Sequence, residues 1–134
     1  MTSKPSSSLE KLKNSLIPIM SKEVSLLREI LGNALEEQKS LLHNEQELLK
    51  SIVEKKDSFL AHLEKLKGTR KKTLRKIEKL IKDQLPENSE EKEKEIFLIL
   101  MEMKGSEGCQ LATIREQIIA LVEKIKIQTE RNNY

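Results

Sequence analysis

A heptad pattern of apolar residues through the middle of the chain restricts its fold more than any other feature. Positions 31, 38, 45, 52, 59, 66, 73 and 80, with 35, 42, 49, 56, 63, 70 and 77, make fifteen sites. Ten are apolar: Leu31, Leu35, Leu42, Leu49, Ile52, Phe59, Leu63, Leu66, Ile77 and Leu80. That spacing puts them on one stripe of a helix, and a narrow stripe is buried by packing on a second helix. Gln38, Glu45, Lys56, Arg70 and Thr73 interrupt the seam, as suits an antiparallel pair or a short coiled coil. The composition agrees: of 134 residues 35% are charged and 2% aromatic, which is the balance of long helices. The length suffices for one bundle core and not for two domains.

Local signals divide this helical chain. The first eight residues, MTSKPSSS, read as a disordered polar tail, and 9–134 as a single helical domain. Apolar rhythm starts at Leu9, Leu12, Leu16 and Ile17, and Pro18 then predicts a kink or restart. Asn44 followed by Glu47 has capping-box spacing and predicts a break at His43–Asn44. One long helix is expected over 45–85, on the order of 60 Å at 1.5 Å per residue. Gly68 inside it costs about 1 kcal/mol relative to Ala, and Pro86 ends it. A second capping box, Asn88 with Glu91, opens a helix through SEEKEKEIFLILMEMK, which GSEG (105–108) stops. The last helix is expected from Cys109 to Arg131. IFLILM (96–101) has the look of a buried strand, but no partner strand exists in the sequence, so helix is the expectation. The fold class is therefore all-α: a long antiparallel, coiled-coil-like hairpin with shorter C-terminal helices, forming a three- to four-helix bundle.

Residues able to carry chemistry are sparse. His43 and His62 lie in no ligand-spaced motif, so solvated or half-buried helix positions suit them better than metal or base roles. Carboxylate pairs such as Glu36–Glu37 and Glu90–Glu91 are adjacent, and adjacent helix residues point apart. GSEG has the glycines of a phosphate loop without the preceding strand or the following GK[ST]. Cys109 is the single cysteine, with no histidine near it in sequence to activate it. These features point to a non-enzymatic protein with no cofactor and no metal. A lone thiol, a polar start without the apolar core of a signal peptide, and no apolar run of membrane-spanning length point to the cytoplasm.

The strongest charge feature is KGTRKKTLRKIEKLIK (67–82), eight Lys or Arg against the single acid Glu78. Arg70, Lys71, Lys72 and Arg75 form a candidate basic patch for phosphates, an anionic membrane or an acidic protein. Against nucleic acid and membrane stand a net charge of only +3, the lack of interleaved aromatics, and the acidic ENSEEKEKE that follows. Two apolar bands exceed the needs of a single seam. EIFLILMEM (95–103) is apolar almost all round, with Met101 and Met103 as adaptable surface. In the last helix Leu111, Ile114, Ile118, Leu121 and Ile125 form one stripe, widened by Ile119 and Val122. Either both bands close the bundle core, or part of them accepts a helix from another protein. In the second case Leu111, Ile114, Ile118, Leu121, Val122 and Ile125 are the client-binding residues.

The succession LLREIL, then LEEQKSLLHNEQELLKSIVEKKDSFLAHLEKL, then Arg70 and KKTL, resembles the FlgN-like family of flagellar and type III export chaperones. Glu54, Lys55 or Lys56, Phe59, Leu60, Leu63, Leu66 and Arg70 stand where that family has a glutamate–lysine step, an apolar run and an arginine. IIALVEKIKIQTERNNY is similar to the family's C-terminal segment, with Asn132 and Asn133 as its asparagines. The likeness covers roughly 24–85 and 109–134; family members continue past those asparagines with further apolar helix, whereas this sequence stops at Tyr134. The resemblance implies a cytoplasmic chaperone that binds the amphipathic C-terminal segments of hook-associated or other export substrates and delivers them to the export apparatus. Two other readings fit the residues: a structural coiled-coil component or self-associating scaffold, and a nucleic-acid or anionic-membrane binder acting through 67–82.

Overall fold

A computed structural model of the chain describes residues 3–85, 92–103 and 107–133, with the side chains of 3–7 and 107 left aside. Four α-helices are present and no strand occurs among the described residues: α1 (Ser3–Leu42), α2 (Gln46–Leu80), α3 (Lys92–Glu102) and α4 (Glu107–Asn132). The IFLILM run is helical, within α3. Pro86, Asn88, Glu91, Gly105 and Ser106, which carry the second capping box and the first half of GSEG, lie outside the described residues.

The α1–α2 turn is built differently from the capping box that its sequence predicts. Asn44 takes a left-handed backbone with φ of 53°. The Asn44 N–H donates to the Leu41 carbonyl at 3.3 Å and the Glu45 N–H to the Ser40 carbonyl at 3.0 Å. This is the Schellman arrangement, which satisfies the last carbonyls of α1 with Asn in the place usually taken by Gly. Asn44 thus terminates the first helix instead of starting the second. Glu45 is the N-cap residue of α2, and its side chain makes no capping hydrogen bond.

Three further boundaries differ from expectation. α1 begins at Ser3, ahead of Leu9, within the stretch read as a polar tail. It also runs unbroken through Pro18. Pro18 is exposed, as is Asn14, whose carbonyl it leaves without a helical partner, so water can serve that group. Leu16 and Met20 on either side are fully buried, and their packing holds the helix in register. α2 stops at Leu80, not 85, and a 3-10 turn over Lys82–Gln84 follows. Leu85 is extended (φ −97°, ψ 142°), the conformation that a following proline imposes.

α1 is the spine. α2 returns antiparallel along it: the Asn33 side chain donates to the Ile52 carbonyl at 3.0 Å near the turn, while Arg70 meets Glu23 far from it. α4 runs parallel to α1, with Leu111 in the same cluster as Leu16 and Met20, and Gln128 donating to Gln38 at 2.8 Å. α3 turns back antiparallel to α4, its Phe97 ring lying under the Arg115 guanidinium at 5.3 Å. The first core cluster joins all four helices through Leu16, Leu74, Ile77, Phe97, Leu100 and Leu111. The second, without α3, joins Val24, Leu27 and Ile30 to Leu63 and Leu121. Each fully buried side chain of this size contributes roughly 1.5–3 kcal/mol through removal from water. α3 is not apolar-buried all round: Ile96, Phe97 and Leu100 face inward while Leu98 is exposed.

Gly108 is inside the first turn of α4, not in a loop. A Cβ on it would lie 2.8 Å from the Met101 carbonyl oxygen, so the end of α3 approaches α4 too closely for any side chain.

Candidate functional site

The C-terminal stripe points inward. Leu111 and Leu121 are buried, and Ile114, Ile118 and Ile125 are half-buried against the core clusters. Of the six candidate client-binding residues only Val122 is exposed, at 46%, beside Ile119 at 53%. The stripe packs mainly on the molecule's own spine, the first of the two expected arrangements, while Ile119, Val122 and Ile127 stay exposed on its outer flank.

The end of α4 is fastened by polar groups. The Asn132 side-chain amide donates to the Ala34 carbonyl at 2.8 Å and to the Glu37 carboxylate at 2.9 Å. Buried Gln128 bridges Gln38 and Asn132. Glu37 also meets Lys56 of α2 at 3.7 Å, so α1, α2 and α4 share one polar cluster. The polar interruptions of the heptad seam, Gln38, Lys56 and Arg70, are therefore cross-helix contacts.

A second group of exposed apolar residues lies at the hairpin turn. Leu35, Leu41, Leu42, Leu48 and Val53 are 39–72% exposed and flank the α1–α2 turn. α4 ends at Asn132, beside Ala34 and Glu37, so the hairpin continues past it as two helices with leucines on the outside. Leu35 and Leu42 belong to the heptad seam, and nothing in that periodicity distinguishes them from the seam residues that do become buried. For Leu42 the distinction depends on where α4 stops; Leu35 lies level with the last turn of α4 and faces away from it.

Arg70, placed in the basic patch by sequence, turns into the protein. Its Nη1 donates to Glu23 Oε2 at 3.0 Å, and its Nε lies 3.9 Å from the Glu93 carboxylate, linking α1, α2 and α3. Glu23 is 1% exposed. Burial raises its pKa above the ordinary 4.5, Arg70 and Lys67 pull it down, Glu93 pushes it up, and burial prevails. Glu23 Oε1 and Arg70 Nε have no hydrogen-bond partner among the described residues, which marks the network as half satisfied. Lys71, Lys72 and Arg75 remain on the outside.

His62 lines a shallow cleft with Ser25 and Glu29, but among the described residues no hydrogen bond joins these groups into a nucleophile–base pair. Cys109 is exposed, in a cleft with Gln110, Thr113 and Ile17 and without an acid or imidazole in its lining. Among the described residues no three His, Cys, Asp or Glu side chains gather as metal ligands, and no helix is long and apolar enough to cross a membrane. The architecture is that of an all-α hairpin bundle. No family model, curated protein or solved structure matches the chain.

Proposed function

We propose that the protein is a non-enzymatic cytoplasmic chaperone for export substrates, and that it captures their amphipathic C-terminal segments at the end of the α1–α2 hairpin. The observation that carries this reading is the group of exposed side chains Leu41, Leu42 and Leu48 past the end of α4, with Leu35 and Val53 exposed alongside its last turn. Large apolar side chains gathered at one end of a molecule this rich in charge are a docking surface for a partner helix. The occupant is taken from the resemblance of 24–85 and 109–134 to the FlgN-like chaperones, whose clients are amphipathic helices of hook-associated proteins. Such a client orders only when bound, so part of the contact energy goes into ordering it. Affinity is modest, and release at the export apparatus is easy.

The test is binding of fluorescently labelled C-terminal peptides of hook-associated proteins from the same host, read by anisotropy. Leu42→Asp with Leu48→Asp alters two exposed residues, keeps the helical circular dichroism of the parent and abolishes binding. Leu111→Ala, a cavity change in the core, keeps binding at temperatures where the fold survives. Binding of the double aspartate variant at wild-type strength refutes the reading. Sedimentation of the peptide-free protein as a dimer that the same double substitution dissolves replaces it with the scaffold reading.

A further inference from the structure

The outward face of α2 carries a row of cations that neither the fold nor the client-binding reading uses. Leu63, Leu74 and Ile77 are buried on the inner face of this helix. Lys65, Lys72, Lys76 and Lys79 stand on the opposite side, all exposed, with Lys71 and Arg75 flanking them. The spacing from Lys65 of seven, eleven and fourteen residues keeps the four on one line of the helix, about 21 Å long at 1.5 Å per residue. Among the described residues none of these six cations forms an ion pair; Glu64 and Glu78 meet Lys67 and Lys92 instead. Rotation of Arg70 inward removes it from the row, so the patch differs from the one its sequence outlines.

A second observation falls at the same place. Gly68 shares the line with Lys65 and Lys72, and a Cβ built on it meets nothing within 4 Å. Packing within the chain therefore gives no reason for glycine there, although glycine in a helix interior is unfavourable relative to alanine. Between two lysines, a missing side chain leaves room for an anionic group to reach the helix surface with a cation on each side.

We infer that this row binds the phosphodiester backbone of a duplex nucleic acid, independently of base sequence. A line of fixed cations on a rigid helix matches a linear polyanion, and each lysine that neutralises a phosphate releases a condensed counterion. The row holds no aromatic residue for stacking on unpaired bases, which selects backbone contact on a duplex. A helix lying on an anionic membrane needs a broad apolar face to insert opposite or beside its basic one; the face of α2 opposite the row packs against α1, and of the large apolar side chains near the row only Leu60 and Leu80 are exposed.

Binding of the intact protein to a labelled DNA duplex of mixed sequence and about 20 base pairs tests the inference, with anisotropy followed against salt. Four phosphate contacts give a slope near −3.6 in log–log form, so affinity falls about 150-fold between 50 and 200 mM salt. Lys72→Glu with Lys76→Glu, both solvent-facing, preserves helicity and removes the binding. Gly68→Ala raises the melting temperature and weakens the binding. No binding of the wild type at 50 mM salt overturns the inference, as does unchanged affinity in either variant. Binding to phosphatidylserine vesicles in place of the duplex overturns it in favour of a membrane.

Discussion

Replacing Arg70 by Met exposes the energetics of the buried ion network most directly. The substitution keeps most of the side-chain volume and strips Glu23, 1% exposed, of its cation. Removing one partner of a buried pair costs about 3–5 kcal/mol when the remaining charge has no escape. Glu23 has an escape, because it can take up a proton. Holding the carboxyl neutral at pH 7 against an ordinary value of 4.5 costs about 3.4 kcal/mol, at about 1.4 kcal/mol per pH unit. Relief of Arg70's own desolvation offsets part of this, so a loss of about 2–3 kcal/mol is expected at pH 7. The direction with pH follows from linkage. A carboxyl whose folded pKa is raised binds its proton more tightly in the native state. Its stabilising contribution is complete below 4.5 and is lost as pH rises through the folded value. Arg70→Met removes a lowering influence and raises that value further. The penalty therefore shrinks to under about 1 kcal/mol at pH 4.5, where protonation costs little. Urea unfolding followed by circular dichroism at the two pH values measures it. Glu23→Leu combined with Arg70→Met recovers the loss, since an apolar pair in this position leaves no charge unmatched. An equal penalty at both pH values, or none at pH 7, refutes the argument that Glu23 is the buried charge at risk.

Two backbone predictions follow from the turn and the α3–α4 junction. Asn44→Gly leaves stability unchanged or raises it, whereas Asn44→Ala lowers it by about 1 kcal/mol, because alanine pays for the left-handed conformation; denaturation midpoints of the two variants separate the cases. Gly108→Ala loses about 1–3 kcal/mol as the α3 carbonyl at Met101 is pushed aside, despite the better helix propensity of alanine, and a higher melting temperature than the parent would show that the two helices are not in close contact.

The heptad seam shows what periodicity conveys and where it stops. Ile52, Leu63 and Ile77 are buried as the pattern requires, but Leu42, in the same register, is 72% exposed. Periodicity assigns a face and says nothing of how far along that face a third helix reaches. The polar interruptions of the seam were legible as positions and not as partners. Arg70 reads as one more cation of 67–82 because its acid, Glu23, is 47 residues away. The C-terminal stripe was legible in outline, yet its width gave no measure of cover, since the half-burial of Ile118 and Ile125 comes from α1 and α2 residues distant in sequence. Asn44 is recognisable as a break, but its role is not, because Asn serves equally as an N-cap and as a left-handed C-terminal residue.

Periodicity, propensity and the breaker at Asn44 are local or near-local properties, and from them the all-α class, the long hairpin and the approximate helix boundaries follow without reference to coordinates. Tertiary structure decided which of the many equivalent leucines meet solvent, which cation is spent on a buried acid, and that glycine 108 is a packing site and glycine 68 is not. Those outcomes depend on distances between residues far apart in the chain, and burial and ion pairing are set by such distances, whereas helix formation is set within a few residues.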